Sequence, residues 1–282
     1  MDSKIAFKEH SYFNIKKYIH ELEAVYPFLE LKTLTRTAGG REVQALIFGK
    51  TNDYVLYLAP FSGNDRLCTT LLLRFFEELC HAVHKGEELC SLNIRKALYG
   101  KGVIVIPIIN PDGYEISLKG NSALNHLSNE IKNISKGDYK NYKANIRGVD
   151  LEKNFIKCLG GAPAPYGFGG YSPFSEPESL CLAEFLRKTN IRHIINLCSD
   201  DIGITFYNIN NNNKAIKMAE IMQAVSGYDI SISEDIKDDF KYWFNKEFLK
   251  PAFKIGTEKL SVKNLPIVYE HIKELLVLSS IM

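Results

Sequence analysis

Residues 103–115 read VIVIPIINPDGYE, an apolar run that is followed at once by polar residues. The run from Val103 to Ile109 is far too short to span a membrane, and it predicts a buried strand. The four residues NPDG at 110–113 each favour a turn for a separate physical reason, so the strand is predicted to end in a turn there. The sequence around residues 103–113 therefore predicts a buried strand of a sheet, followed by a turn.

The segments that precede this strand predict three more strands and two helices. Residues 15–29 have the apolar spacing of a helix, and residues 31–50 predict a hairpin around the turn at 38–40. Residues 54–60 form a short run rich in strand-favouring side chains. They lead through Phe61–Asp65 into residues 67–83, where apolar side chains recur every three or four positions. A strand that feeds a helix through a short loop is therefore predicted.

The segments that follow Gly113 continue the alternation of strands and helices. Residues 120–144 have little periodicity and predict a long surface loop or a loose helix. Ser175 and Glu178 have the spacing of a capping box, which predicts a helix from Ser175 to about Lys188. Further strands are predicted at His193–Cys198 and Ala252–Ile255, and further helices at Ala215–Val225 and Pro266–Leu278. This pattern predicts one α/β domain over residues 1–282, with a mixed, mostly parallel sheet.

Composition and charge exclude several classes of protein. The 282 residues are 45% apolar and 24% charged, which excludes disorder, collagen and coiled coil. The net charge of +2 gives no basic surface for nucleic acid. Residues 1–15 lack the apolar core of a secretory signal, so a soluble, cytoplasmic protein without a membrane partner is expected. The six cysteines, Cys158 and Cys198 among them, have no framework spacing and are predicted to be reduced thiols.

Five groups of residues together carry a family resemblance. They are Tyr26-Pro27 with Gly39–Val43, Ile109–Glu115, Asn145–Leu151, Pro173–Glu178, and Phe240–Phe244 leading into Pro251–Phe253. In this order and spacing the chain resembles the zinc metallocarboxypeptidase family, especially its bacterial branch of γ-D-glutamyl-diaminopimelate endopeptidases. The resemblance implies a twisted, mostly parallel eight-stranded sheet flanked by helices. It also implies a cleft at the carboxyl ends of the central strands.

The family's zinc-ligand positions are all changed in this chain. Family members bind zinc through a His-x-x-Glu pair and a later His, and the resemblance places Ser62, Asp65 and Cys198 at those positions. A neutral hydroxyl is a poor zinc ligand, and Asp is shorter than Glu, so tight zinc binding is not expected. Other roles suit the three residues: Ser62 as a turn residue, Asp65 as the N-cap of the next helix and Cys198 as a small buried apolar group.

The family's general base is also missing. Gly256 stands at the position of the family's catalytic Glu, and glycine cannot take a proton from water. Glu258 lies two residues further on, which along a strand is roughly 7 Å away. A bulge that shortens this gap would make Glu258 a substitute base. Phe240 and Tyr242 lie nearest to the position of the family's mobile tyrosine.

One of the family's substrate-binding residues is kept in this chain, and two others are replaced. Arg147 matches the family arginine that stabilises the developing oxyanion or binds a substrate carboxylate. Glu152 and Lys153 replace the family's Asn-Arg pair, which removes a bidentate carboxylate donor and adds a negative charge. An ordinary ion pair between Glu152 and Lys153 is the alternative interpretation.

Three functions remain open at the level of sequence. The first is a pseudopeptidase with no metal cofactor, which binds a peptide or muropeptide-like ligand in the cleft without cleaving it. The second is an active metallopeptidase with substituted ligands and Glu258 as base. The third is a hydrolase that uses Cys198 as nucleophile, with Asp200 and Asp201 following it in sequence.

Overall fold

The computed structural model describes residues 5–123, 128–156, 160–199, 201–209, 212–233 and 239–282. Cys158 and Asp200 therefore lie outside the described residues. Ten strands are assigned within these ranges: β1 (Leu29–Arg36), β2 (Glu42–Phe48), β3 (Tyr54–Leu58), β4 (Glu88–Leu89), β5 (Leu92–Asn93), β6 (Gly102–Ile106), β7 (Ile191–Cys198), β8 (Gly203–Tyr207), β9 (Ile230–Ser233) and β10 (Ala252–Gly256).

Nine α-helices are assigned within the same ranges. They are α1 (Tyr12–Val25), α2 (Leu67–Lys85), α3 (Ile94–Ala97), α4 (Pro111–Lys119), α5 (Ser128–Ser135), α6 (Pro177–Lys188), α7 (Asn213–Ser226), α8 (Phe240–Phe248) and α9 (Leu265–Ile281). Short 3₁₀ helices cover Gly120–Ala123 and Leu151–Lys153. No helix in the part of the chain that the structure describes is both long and apolar enough to cross a membrane.

Eight strands form one mixed sheet in the order β1-β2-β6-β3-β7-β10-β8-β9. Four of the seven neighbouring pairs are parallel: β3 with β6, β3 with β7, β7 with β10, and β8 with β9. The hairpin of β1 and β2 adds an antiparallel edge. The predicted mixed, mostly parallel eight-stranded sheet is therefore confirmed.

Two apolar layers cover the two faces of this sheet. Along β3, Val55 and Tyr57 pack into one layer with α2 and α9, whereas Leu56 and Leu58 pack into the other with α6 and α8. Successive strand residues point to opposite faces, so a strand that is covered on both sides is apolar throughout. This explains why the central strands are continuous apolar runs in the sequence.

The second layer contains an aromatic cluster around Trp243 of α8. The rings of Phe155 and Phe174 lie 5.2 and 5.7 Å from the Trp243 ring, centroid to centroid. The ring of Phe240, one turn earlier on α8, is 6.0 Å away. Trp243 itself is buried. The cluster fixes α8 against the sheet, and α8 borders one side of the cleft.

Two local predictions are corrected by the structure. The NPDG sequence does not form a turn but begins α4, with Asn110 as N-cap: its side-chain oxygen accepts from the Gly113 N–H at 2.9 Å. A side-chain acceptor of this kind serves a turn and a helix start equally well. The second error concerns α6, which begins at Pro177 with Glu176 as N-cap and not with Ser175. The residue before a proline is kept extended, which moves the helix start by one position.

Candidate functional site

The carboxyl ends of three parallel strands bring together the residues that were predicted to stand at the family's metal and base positions. β3 ends at Leu58 and leads into the loop that carries Ser62 and Asp65. β7 ends at Cys198, and Gly256 at the end of β10 pairs directly with it. Because parallel strands end at the same edge of a sheet, this edge is where a ligand-binding cleft is expected.

The loop at 61–65 is held in place by the start of α4. The Asn110 side-chain amide donates to the Phe61 carbonyl at 2.9 Å, and the Gly63 N–H donates to the Lys143 carbonyl at 2.9 Å. A Cβ on Gly63 would lie 2.3 Å from the carbonyl carbon of Gly113. The two backbones approach so closely that only glycine fits at position 63.

The carboxylate of Asp65 hydrogen-bonds to the residue that follows β7. The Ser199 backbone N–H donates to one carboxylate oxygen at 2.7 Å, and the Ser199 hydroxyl donates to the other at 2.6 Å. Hydrogen bonds to a charged acceptor are among the stronger ones in proteins. Both oxygens of Asp65 are thus engaged in joining the loop after β3 to the end of β7.

Cys198 and Gly256 face each other across the β7–β10 ladder. The Cys198 thiol is buried and donates to the Ile255 carbonyl at 3.7 Å. The Cys198 carbonyl accepts from the Thr257 N–H at 2.9 Å. The two strands are therefore paired to their very ends, and the position of the family base is a buried backbone position.

The residues at the three family ligand positions do not fit a zinc ion. Ser62 offers a neutral hydroxyl, and both oxygens of Asp65 already accept from Ser199. Among the described residues, no group of three or more His, Cys, Asp or Glu side chains could hold a metal ion. Catalytic zinc sites usually supply three protein ligands. The described residues at these positions therefore supply too few ligands for a catalytic zinc ion.

The half-buried Glu258 lies close to Tyr228, a buried tyrosine that follows α7. Burial raises the pKa of Tyr228 to about 12, and the negative charge of Glu258 adds to the rise. Tyr228 packs in the apolar layer that contains α7 and α9. The substitute-base hypothesis would need the same carboxylate to reach a water molecule in the cleft.

Arg147 is exposed on the segment that leads into the short 3₁₀ helix. The Arg147 side chain is 57% exposed, and its guanidinium lies 3.7 Å from the carboxylate of Glu176. Glu176 is buried and accepts from the Asn145 side-chain amide at 2.7 Å. A buried carboxylate thus orients an exposed cation, which leaves Arg147 able to meet an anionic ligand group.

Glu152 and Lys153 line a cavity of about 540 Å³, here named the Lys241 cavity. Its charged lining residues are Glu152, Lys153, Asp201, Asp239, Lys241 and Lys254. Lys254 pairs with Asp201 at 3.0 Å. The cavity therefore presents both signs of charge to a ligand.

The predicted alternative of an ion pair between Glu152 and Lys153 is wrong. Glu152 pairs instead with Lys241 of α8, whose ammonium also lies 3.7 Å from Asp239. Burial alone would lower the pKa of Lys241, but these two carboxylates outweigh it and raise the pKa above its ordinary value. Lys241 was not among the site residues predicted from the sequence. Its only signal is a lysine within the aromatic run from Phe240 to Phe244.

Ser62 and Asp65 line a second cavity of about 330 Å³, here named the Ser62 cavity. Its charged lining residues are Glu9, Asp65, Arg66, Lys140, Lys143 and Lys259. The structure thus divides the predicted site residues into two groups. The metal positions Ser62 and Asp65 lie at one cavity, and the substrate positions Glu152 and Lys153 lie at the other.

The sheet order and the cleft at the carboxyl ends of β3, β7 and β10 define a carboxypeptidase-like protein. Residues 15–255 match the family described as zinc carboxypeptidase. The chain therefore belongs to the zinc carboxypeptidase family, whose characteristic metal is zinc. The predicted family and fold are confirmed.

Individual relatives are similar over most of the chain but at low identity. The gamma-D-glutamyl-L-diamino acid endopeptidase 1 of Lysinibacillus sphaericus is 23% identical over 278 residues, which is 93% of this chain and 70% of the endopeptidase. The structure of bovine thrombin-activatable fibrinolysis inhibitor has a TM-score of 0.76 at 18% identity, with 98% of this chain and 96% of that chain covered. Carboxypeptidase A of Helicoverpa armigera has a TM-score of 0.72 at 16% identity, with 97% and 73% covered.

Proposed function

We propose that this single carboxypeptidase-like domain is a pseudopeptidase that binds a peptide or cell-wall-peptide-like ligand in its cleft and does not hydrolyse it. The observation that carries the proposal is the engagement of both Asp65 oxygens by Ser199 at a family ligand position. Ser62 and Gly256 add to it, because neither side chain can do the chemistry of the family residue. A cytoplasmic location is part of the proposal, since the cysteines lack the sequence spacing of a disulfide framework.

The mixed charge of the Lys241 cavity supports a ligand that carries charges of both signs. Lys241 and Lys254 are paired with carboxylates, so an incoming group meets two ion pairs. No carboxylate in the described part of the chain pairs with Lys153, which leaves its ammonium available for a ligand carboxylate. The endopeptidase relative acts, by its name, at a γ-D-glutamyl-L-diamino acid bond. A diamino acid carries both an ammonium and a carboxylate, which suits this cavity.

The metal content of the purified protein tests the proposal first. We expect the protein, purified without chelators, to contain clearly less than one zinc per chain by elemental analysis. One tightly bound zinc per chain would contradict the proposal. The six cysteines of the chain make a reducing buffer necessary in this experiment, because an oxidised thiol cannot bind metal.

Hydrolysis of a γ-D-glutamyl-L-diamino acid dipeptide is the second test. We expect no product above the rate of the buffer, with and without added zinc. Hydrolysis that Glu258→Gln abolishes would show an active enzyme with a substituted base. Hydrolysis that iodoacetamide and Cys198→Ala each abolish would instead show that Cys198 acts as a nucleophile.

Binding of the same dipeptide, measured by calorimetry, separates a ligand-binding domain from an inert one. We expect Lys153→Gln to weaken binding about tenfold, which is the effect of one lost charge-assisted hydrogen bond. Lys85→Gln, at the far end of α2, is the matched control and should bind like the wild type. Absence of binding by the wild-type protein would refute the ligand part of the proposal.

A further inference from the structure

The Ser62 cavity carries more positive than negative charge. Four cations line it, namely Arg66, Lys140, Lys143 and Lys259, against the two carboxylates of Glu9 and Asp65. Arg66 is buried and pairs with Glu9 at 2.8 Å, while its other terminal nitrogen donates to the Ser117 hydroxyl at 2.7 Å. The Asp65 carboxylate accepts from Ser199. Both carboxylates are therefore already engaged within the protein.

The three lysines have no such partner among the residues that the structure describes. None of the ion pairs among the described residues involves Lys140, Lys143 or Lys259. Lys143 is half-buried, and its main chain is fixed because its N–H donates to the Pro165 carbonyl at 2.9 Å. Ammonium groups that share a cavity repel one another, and an anion placed between them relieves that repulsion.

The polar neutral groups of the cavity add further donors. The hydroxyl of Ser62 and the side-chain amides of Asn64 and Asn141 line the same space. The 19-residue helix α2 begins at Leu67, which also lines the cavity, so the positive end of its dipole adds to the field there. Hydroxyls, amides and ammonium groups together are the donors that surround oxyanions in proteins.

We propose that the Ser62 cavity binds a small dianion, either a phosphate group or a pair of carboxylates on an acidic peptide. The inference deepens the proposed function, because it names the class of ligand group that the non-hydrolytic cleft accepts. The zinc carboxypeptidase fold thus presents donors for negative charge at the position where the family holds a cation. A net excess of two positive charges among the lining residues matches a doubly charged group.

Calorimetric titration with inorganic phosphate and with the dipeptide Glu-Glu tests this inference. We expect at least one of them to bind the wild-type protein, with affinity that falls as salt is added. Binding of phosphate alone identifies a phosphate group as the ligand chemistry, and binding of Glu-Glu alone identifies paired carboxylates. The dipeptide Gln-Gln has no net charge and no side-chain carboxylates, and it should not bind measurably. If neither anion binds more tightly than Gln-Gln, the inference is refuted.

Substitutions of the lysines localise the binding. Lys143→Gln and Lys259→Gln should each weaken binding by about three- to tenfold, and the double variant should weaken it further. Lys85→Gln, at the opposite end of α2, should leave it unchanged. If the double variant binds as tightly as the wild type, the anion binds elsewhere and the inference is refuted.

The proposed function and this inference fail separately. Bound zinc or hydrolysis would contradict the proposed function whatever the anion does. Loss of anion binding would leave the metal and hydrolysis results unchanged, and it would refute only the assignment of the Ser62 cavity.

Discussion

Glu178 on the first turn of α6 is fully buried, and its protonation is coupled to folding. Burial raises the pKa of Glu178 to about 8, and the charges of Asp112 and Glu176 add to the rise. In the unfolded chain Glu178 has its ordinary pKa of 4.5. The preference of the folded state for the protonated carboxyl therefore stabilises the protein fully below about pH 4.5. That contribution is lost as the pH rises to about 8, where the buried carboxyl must ionise.

Replacement of Glu178 by the neutral isostere tests this coupling. Glu178→Gln should be more stable than the wild type at pH 8.5, and this advantage should shrink towards pH 4.5, as measured by the difference in Tm. Glu184→Gln, an exposed position on the same helix, is the control and should shift Tm little at either pH. A Tm difference between Glu178→Gln and wild type that does not change with pH would contradict the assignment.

His193 on β7 should make the stability of the fold depend on pH in the opposite direction. Burial lowers the pKa of His193 to about 3, and its ring contacts the Ser279 carbonyl at 2.9 Å. The neutral ring is therefore favoured in the folded state, and stability is lost as the pH falls from 6.5 towards 3. His193→Gln should lose less stability than the wild type between pH 7 and pH 5, measured by urea unfolding. The exposed His20→Gln is the control, and equal losses in all three proteins would refute the prediction.

Residues such as these could not be identified from the sequence. The sequence does not distinguish a buried glutamate from an exposed one. Their pKa values differ only because the fold gives them different surroundings. The family positions Ser62, Asp65, Cys198 and Gly256 were predictable because they stand beside recognisable motifs. Lys241 was not, since its partners Glu152 and Asp239 are brought to it by the fold.

At the scale of elements, the contact between Asp65 and Ser199 joins the loop after β3 to the end of β7. Asp65→Ala leaves the Ser199 N–H and hydroxyl without their acceptors, and it should lower the free energy of unfolding by about 2 kcal/mol. Urea unfolding measures the change. Ser199→Ala, which keeps the backbone donor, should cost about half as much. An Asp65→Ala variant as stable as the wild type would show that the contact contributes nothing.

Helices and strands were predictable to different extents. The hairpin, α2 and the central strands follow from apolar periodicity, which reports burial directly. The strands β8 and β9 and the helix α8 were not predicted, because β8 and β9 are short and α8 is apolar on several faces. The starts of α4 and α6 were misjudged, since cap residues and turn residues are chemically the same.

At the scale of the whole molecule, added zinc tests whether the fold still contains a metal site. A metal that binds the folded state raises Tm by mass action. We expect neither zinc nor EDTA to change the Tm of the wild-type protein. A variant that restores the family residues, with Ser62→His, Asp65→Glu and Cys198→His together, should gain a zinc-dependent increase in Tm. Wild-type protein that is stabilised by zinc and destabilised by EDTA would contradict the expectation.

The overall fold was predictable because several ordered motifs extend over nearly the whole chain and agree on one family. The ligand of the cleft was harder to predict from the sequence, because ligand binding depends on which side chains line the same cavity. Lys140 and Lys259 are more than a hundred residues apart in sequence, and nothing in either segment predicts that they line one cavity. Side chains that are distant in sequence come to line one cavity only when the chain has folded.

The aromatic cluster on α8 has an optical consequence. Trp243 is the only tryptophan in the chain, and it lies two residues from Lys241, whose ammonium lines the cavity. The Arg187 guanidinium lies 5.7 Å from the centre of the indole ring, so one positive charge lies close to the excited state. Emission from this one indole therefore reports on how α8 packs against the sheet. A ligand that shifts α8 should change that emission without any attached dye.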